Sequence, residues 1–182
     1  MTQLTLLVGE SGSGKTSLLV KELSAASFVG VITPGVFEAS EKVGIEAWLL
    51  SGAQKPVLHL MLARRRDLVE HIPDDDAGLG WVFDPEAIAR VNEHLAHLLD
   101  LENSWYNLRL AESHSSLSAS NTLVIDELGP LEFLFGKGFK VALDAIDAAV
   151  FQNVLLAIRP SLVEAARSRW QSRYDLLKTI EP

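Results

Sequence analysis

Apolar and polar positions along the chain follow two rhythms. Short continuous apolar runs occur at 4–8 (LTLLV, ended by Gly9), 28–33 (FVGVIT, stopped by Pro34 and Gly35) and 153–158 (NVLLAI), and TLVIDELGPLEF at 122–133 opens on another, closed by Gly129 and Pro130. Runs of this length bounded by turn residues predict strands buried on both faces. Partial alternation at 43–50 (VGIEAWLL) and 57–63 (VLHLMLA), with SGAQKP leading out of the first run, predicts a β-hairpin.

The second rhythm is helical. A helix is expected from Thr16 onward, where TSLLVKELSAA places Leu18, Leu19 and Leu23 among good helix formers. Over 84–100, Asp84 caps, Pro85 suits the first helical position, and Ile88, Val91, Leu95 and Leu98 share one face. Further helices are predicted at 137–150, with Val141, Leu143, Ile146 and Val150 near one face, and at 161–170, capped by Ser161. DLLKTI at 175–180 is a last strand or an extended tail.

Between these elements, 67–84 reads as a loop holding Pro73, the acidic residues Asp74, Asp75 and Asp76, and GLG; irregular segments this long are often lids or binding loops. Residues 101–120 carry weaker periodicity, read as more helix followed by the polar tract SHSSLSASN. Buried strands alternating with helices predict an α/β fold with a mostly parallel sheet and a hairpin inserted after the second strand. A chain of 182 residues suits one domain spanning 1–182.

Composition narrows the function. An apolar share of 48% with 22% charged residues is that of a globular chain, and the formal net charge of −8 opposes bulk nucleic-acid binding. ARRR at 63–66 is the one basic cluster, read as a solvated strand end rather than a lid over phosphates. With no cysteine there is no disulfide, thiolate zinc site or thiol nucleophile. The first predicted strand leaves no room for an export signal, and no apolar run approaches membrane-spanning length, so the expectation is a cytoplasmic protein.

Gly9-Glu10-Ser11-Gly12-Ser13-Gly14-Lys15-Thr16 matches G-x-x-x-x-G-K-[ST] at every position, after a predicted strand and before a predicted helix. Such glycines let successive backbone amides turn inward, and the helix adds its positive end, so a polyphosphate fits the nest. Lys15 then reaches the β and γ phosphates and the Thr16 hydroxyl ligates Mg²⁺. Glu10 and Ser11 occupy variable positions of the motif, and no role is assigned to their side chains.

LVIDE at 123–127 puts carboxylates at the end of a buried strand, where ligands bind in open α/β sheets. Asp126 is the candidate Mg²⁺ carboxylate, acting through water, and Glu127 the general base that takes a proton from the attacking water.

GESGSGKT, the stretch GVITPGVFEASEKVGIEAWLLSGAQKPVL, VIDELGPLE and VLLAIRPS together resemble the small P-loop nucleoside-triphosphatases, a family with a cancer-related human member and thermophilic bacterial relatives. The resemblance covers most of the chain and is weakest over 64–120. It implies a three-layer, RecA-like parallel sheet, Mg²⁺-dependent release of the γ phosphate of ATP, GTP or another NTP, slow turnover and broad nucleotide tolerance. It assigns the phosphate loop to Gly9 through Thr16, the metal carboxylate to Asp126 and the base to Glu127. IPDDDAGLG, Trp81 and Trp105 have no counterpart in the family pattern.

Arg159 follows VLLAI at a strand end on the phosphate-loop edge, where it either neutralises the γ phosphate or caps the turn before Pro160. The five histidines, His59, His71, His94, His97 and His114, show no metal spacing, and the four tryptophans read as core or hairpin packing. Two other functions stay open. A small nucleotide or metabolite kinase needs an acceptor pocket that the sequence does not locate. A nucleotide-dependent switch or accessory ATPase is open too, although the N-K-x-D motif of a guanine-reading switch is absent. No protein partner is identifiable.

Overall fold

Five strands carry the parallel heart of the sheet. β1 (Gln3–Val8) pairs in parallel with β8 (Asn153–Ile158) on one side and β9 (Leu176–Ile180) on the other. β8 in turn pairs in parallel with β7 (Thr122–Leu128), and β7 with β2 (Phe28–Ile32). Beyond β2 every pairing is antiparallel: β4 (Glu41–Ser51), then β5 (Leu58–Arg65) and β6 (Trp81–Phe83), with β3 (Gly35–Glu38) pairing β4. The order is β6-β5-β4-β2-β7-β8-β1-β9 in one nine-stranded sheet. The computed structural model describes residues 1–23, 28–52, 55–72, 80–111 and 122–182. The acidic residues at 74–76 and the polar tract at 113–121 therefore lie outside the described residues, as does the side chain of Trp105.

The continuous apolar runs become central strands because both of their faces are covered. Leu4 and Leu6 of β1, Leu123 and Ile125 of β7, and Leu156 and Ile158 of β8 enter one core with α2 (Pro85–Ala111), α4 (Lys140–Ala148) and α5 (Val163–Trp170). Their neighbours Leu7, Val124 and Ala157 enter a second core, which contains Leu19 of α1 (Lys15–Leu23). The strand period of two thus divides the apolar residues between helical layers on opposite faces. Each fully buried leucine contributes about 1.5–3 kcal/mol. The α/β architecture is thereby that expected for a three-layer P-loop protein.

Several local expectations change. The hairpin region contains an extra strand, β3, and its chain reversal is at Ala39 and Ser40, which both adopt positive φ (46° and 71°). Neither residue is a glycine, so the sequence carried no turn signal there, whereas Pro34-Gly35 follows the end of β2 as expected and leads into β3. The expected loop at 67–84 holds a 3-10 turn at its start and β6 near its end. β6 is too short for any periodicity and exists through its pairing with β5. The sheet is antiparallel on its β4 side to a greater extent than one hairpin supplies, whereas α2 runs on to Ala111 as the reading of more helix beyond 100 expected.

The cap at Asp84 forms, with Oδ1 accepting from the backbone N–H of Glu86 (2.8 Å) and Ala87 (3.3 Å). Ser161 does not cap: it sits inside a 3-10 turn, Pro160–Leu162, and Leu162 precedes α5 without a side-chain cap. Residues 175–180 resolve as strand rather than tail, β9 beginning at Leu176. Trp170 lies fully in the core and donates its ring N–H to Asp147 (2.7 Å), as packing predicted. Trp48 stacks on His59 across the β4–β5 pair at 4.9 Å.

Candidate active site

The carboxyl ends of β1, β7 and β8 meet on one edge of the sheet. β1 ends at Val8, and its continuation Gly9 donates its N–H to the Ile158 carbonyl at the end of β8 (3.3 Å). Gly12 (φ +82°) and Gly14 (φ +97°) take the backbone through conformations that L side chains disfavour, and α1 begins at Lys15. The loop therefore delivers the amino end of a helix to the sheet edge.

Lys15 is only 4% exposed. Its Nζ donates to the carbonyls of Gly9 (2.7 Å) and Glu10 (2.9 Å) and lies 3.6 Å from Glu127 Oε2. One turn into the motif, the Thr16 hydroxyl donates to Asp126 Oδ1 (3.2 Å). Asp126 is buried at the end of β7, and its Oδ2 accepts from the Thr33 N–H (3.0 Å), while the Thr33 hydroxyl donates to the Asp126 backbone carbonyl (2.5 Å).

Burial pushes the Asp126 carboxyl up from its ordinary value, and the Glu127 charge adds to this; the bonds from Thr33 and Thr16 and the Lys15 charge oppose it. A buried carboxylate that is costly to ionise, facing a hydroxyl, suits a small hard cation. Among the described residues no three His, Cys, Asp or Glu groups gather to hold a metal. This donor set fits Mg²⁺ bound by one carboxylate, one hydroxyl and the oxygens of a phosphate ligand better than a metal held by protein alone.

Glu127 owes its position to a bulge. Opposite β8, Asp126 pairs with Ala157 and Leu128 with Ile158, so Glu127 is an extra residue with φ +148°. A bulge re-aims a side chain, and positive φ on a glutamate costs about 1–3 kcal/mol unless its surroundings hold it. Here Arg159 Nε donates to Glu127 Oε1 (2.8 Å) while Lys15 faces Oε2. Arg159 stands at the end of β8 just before the 3-10 turn and makes no side-chain cap. The structure thus gathers Lys15, Thr16, Asp126, Glu127 and Arg159 on one edge, and Arg159 meets the carboxylate rather than the turn.

Three neighbours carried no sequence signal. Thr33 follows β2 and is seen only through its bonds to Asp126. Lys42, on β4, is half-buried; burial lowers its pKa, with the Glu127 and Asp126 charges opposing, and its Nζ lies 5.1 Å over the Trp81 ring. Glu132, in α3 (Pro130–Phe133), is buried and accepts from the N–H groups of Gly129 (2.8 Å) and Phe139 (3.0 Å). Arg64 is exposed, and Arg65, at the carboxyl end of β5, pairs with Glu41 and Asp67. His94 donates to the Leu50 carbonyl (3.0 Å), a packing role.

A cavity of about 380 Å³ opens beside this edge. Ser11, Thr16, Thr33, Glu127 and Arg159 line one part, and β4, β5, β6, Ile88 of α2 and the α3–α4 region supply the rest.

These elements define an α/β fold with a G-x-x-x-x-G-K-T loop at one sheet edge, and solved structures share the fold. The solution structure of a human cancer-related nucleoside triphosphatase superposes with TM-score 0.55 and 20% identity over 99% of this chain and 87% of that one. The crystal structure of THEP1 from the hyperthermophile Aquifex aeolicus does so with TM-score 0.54 and 16% identity over 99% and 88%. No protein-family model matches the sequence, and no curated protein matches it.

Proposed function

We propose that the protein is a Mg²⁺-dependent nucleoside-triphosphate phosphohydrolase that converts NTP and water to NDP and phosphate. The observation that carries this reading is Glu127, bulged out of β7 beside the Asp126–Thr16 oxygen pair and held between Lys15 and Arg159. The names of the two fold neighbours, a nucleoside triphosphatase and THEP1, support it. ATP and GTP are both expected substrates, with slow turnover and broad base tolerance as the family resemblance implies. Among the described residues no helix is long and apolar enough to cross a membrane, which accords with the proposed cytoplasmic site of action.

In this reading the amides of Gly12 through Thr16 cradle the β and γ phosphates. Lys15 leaves the loop carbonyls that it contacts in the free protein and turns its charge to the phosphates. Asp126 and Thr16 would hold Mg²⁺, which would supply positive charge against the phosphate oxygens when bound. Glu127 accepts a proton as water attacks the γ phosphorus, and Arg159 keeps that carboxylate in place until the transferring group needs positive charge.

The test is phosphate release from a panel of NTPs with Mg²⁺, comparing the wild type with Lys15→Ala and Glu127→Gln. Loss of the base is expected to lower kcat about 10²- to 10⁴-fold with nucleotide binding retained. Lys15→Ala is expected to lose both. Binding without release by the wild type would overturn the hydrolase and favour a nucleotide switch.

A further inference from the structure

The cavity beside Glu127 is far larger than water attack requires. A water occupies about 30 Å³ of liquid, and cavities of about 300–1,000 Å³ are the size that encloses small molecules. This one holds about 380 Å³, and its walls beyond the polar edge are Ile45, Leu62, Phe83, Ile88 and Phe139, with Trp81 beneath Lys42.

Its position relative to the phosphate loop is decided by the sheet order. The loop follows β1, whereas β4, β5 and β6, which supply the cavity's walls, lie on the other side of β7. A polyphosphate on the loop places its terminal phosphate at Asp126 and Glu127, the ends of β7. The cavity therefore begins at the terminal phosphate, where Ser11, Thr16 and Arg159 line it, and continues past it toward β4, β5 and β6, the side from which an attacking group arrives.

The polar groups of the cavity collect at that junction. Glu132 is buried and held by the Gly129 and Phe139 N–H groups, whereas Glu127 is the more exposed lining carboxylate and stands at the phosphate-loop edge, placed to take a proton. An occupant matched to these walls has a flat apolar body and a hydroxyl at one end. A carbohydrate or second polyphosphate leaves its polar groups against Ile45, Leu62 and Phe139.

We propose that this cavity is an acceptor site for a planar heteroaromatic alcohol of nucleoside size or smaller, and that the protein transfers the γ phosphoryl group to it. In that step the acceptor hydroxyl oxygen forms a bond to the γ phosphorus and the bond from γ phosphorus to the β,γ-bridging oxygen breaks. The NDP departs with that electron pair, and the hydroxyl proton passes to Glu127. The inference rests on the nucleotide reading of the phosphate loop.

The experiment incubates the protein with Mg²⁺·ATP and, separately, adenosine, guanosine, cytidine, uridine, thymidine, pyridoxine and thiamine. ³¹P NMR and mass spectrometry then read phosphomonoester against inorganic phosphate. At least one acceptor is expected to give ester in excess of phosphate. Ile88→Trp, which fills the cavity from α2, is expected to cut ester formation at least about tenfold while phosphate release without acceptor stays at the wild-type rate. Leu131 of α3 also lines the cavity, so Leu131→Trp serves as a second filling variant, and thermal melting shows that each is folded.

Phosphate release intact with no ester from any acceptor overturns the acceptor site and leaves the hydrolase standing. Ester formation unchanged in folded filling variants places the acceptor elsewhere and likewise overturns it. Absence of both ester and phosphate overturns the acceptor site and the hydrolase together, and a nucleotide-binding titration then separates a nucleotide switch from the loss of the nucleotide reading.

Discussion

Replacing Glu132 with glutamine changes one atom of the side chain and tests how the site is held. Both carboxylate oxygens accept, Oε2 from Gly129 N–H at 2.8 Å and Oε1 from Phe139 N–H at 3.0 Å. A glutamine keeps one acceptor and turns a donor toward the other N–H, so a buried backbone donor loses its partner. A hydrogen bond to a charged acceptor is worth about 1.5–3 kcal/mol. Part of this is returned, because the amide no longer buries a charge, which leaves a net loss of about 1–2 kcal/mol. For a chain of this size that lowers Tm by about 2–8 °C.

The pH dependence has a definite sign. Burial raises the Glu132 carboxyl above its ordinary 4.5, against its backbone hydrogen bonds, and the Glu127 charge adds to the rise. The unfolded chain therefore loses this proton first as pH increases, so the group's contribution to stability is greatest below 4.5 and declines as pH rises through the folded value. Glutamine does not titrate. The Tm gap between wild type and Glu132→Gln is therefore wider near about pH 5 than near about pH 8. Calorimetry at both values reads it, and titrations common to the two proteins cancel.

The same substitution reports on chemistry. Gly129 lies two residues beyond Glu127, and releasing its N–H loosens the segment that carries the bulge. Misplacement of a catalytic group lowers kcat, here by about ten- to a hundredfold, with little change in KM. An unchanged Tm, or a gap that closes at acid pH, refutes the account of Glu132 as a buried double acceptor. A fall in Tm with kcat preserved refutes its part in placing Glu127.

Other expectations follow from single contacts. Asp126→Asn is expected to fold with Tm equal to or above the wild type, because its amide can still accept from Thr33 N–H and can donate to the Thr16 hydroxyl, while burial already disfavours the native charge; melting together with Mg²⁺-dependent phosphate release checks this, the second being lost. Gly30→Ala places a Cβ 2.2 Å from the Val124 carbonyl oxygen in a residue at φ +117°, so denaturant unfolding should show a loss above about 4 kcal/mol, or no folded protein. Asp147→Asn breaks the two-pronged pair with Arg169 (2.9 and 2.7 Å) and weakens the bond from Trp170, for a loss of about 1.5–3 kcal/mol at neutral pH. Burial raises the Asp147 pKa, but the Arg169 and Trp170 bonds and the Arg169 and Arg173 charges outweigh it and hold the carboxyl below its ordinary 3.8, so wild type and variant should converge in Tm as pH falls below 3.8.

What could be read in the sequence was whatever lies close along the chain. Gly9 through Thr16 is one contiguous motif, and the runs at 4–8, 122–128 and 153–158 are buried on both faces, so strand, loop and helix followed from local pattern. Lys42, Thr33 and Trp81 come to the same edge from β4, from the end of β2 and from β6, and only cross-strand pairing brings them there. No spacing encodes that convergence. β3 and β6 stayed hidden for the same reason, being three- or four-residue strands that exist through their partners.

The least legible feature is the one on which the proposed hydrolysis turns. Regular alternation along β7 sends the side chains of Asp126 and Glu127 to opposite faces of the sheet. A strand continued without interruption would therefore have kept them apart. The extra residue opposite β8 and the φ of +148° bring Glu127 back to the phosphate-loop edge, where Arg159 and Lys15 receive it. Those two cations come from positions 32 and 112 residues away, so the strain at Glu127 is offset by partners that no local reading connects to it. The placement of this candidate base is accordingly a property of the assembled sheet rather than of the Asp-Glu pair itself.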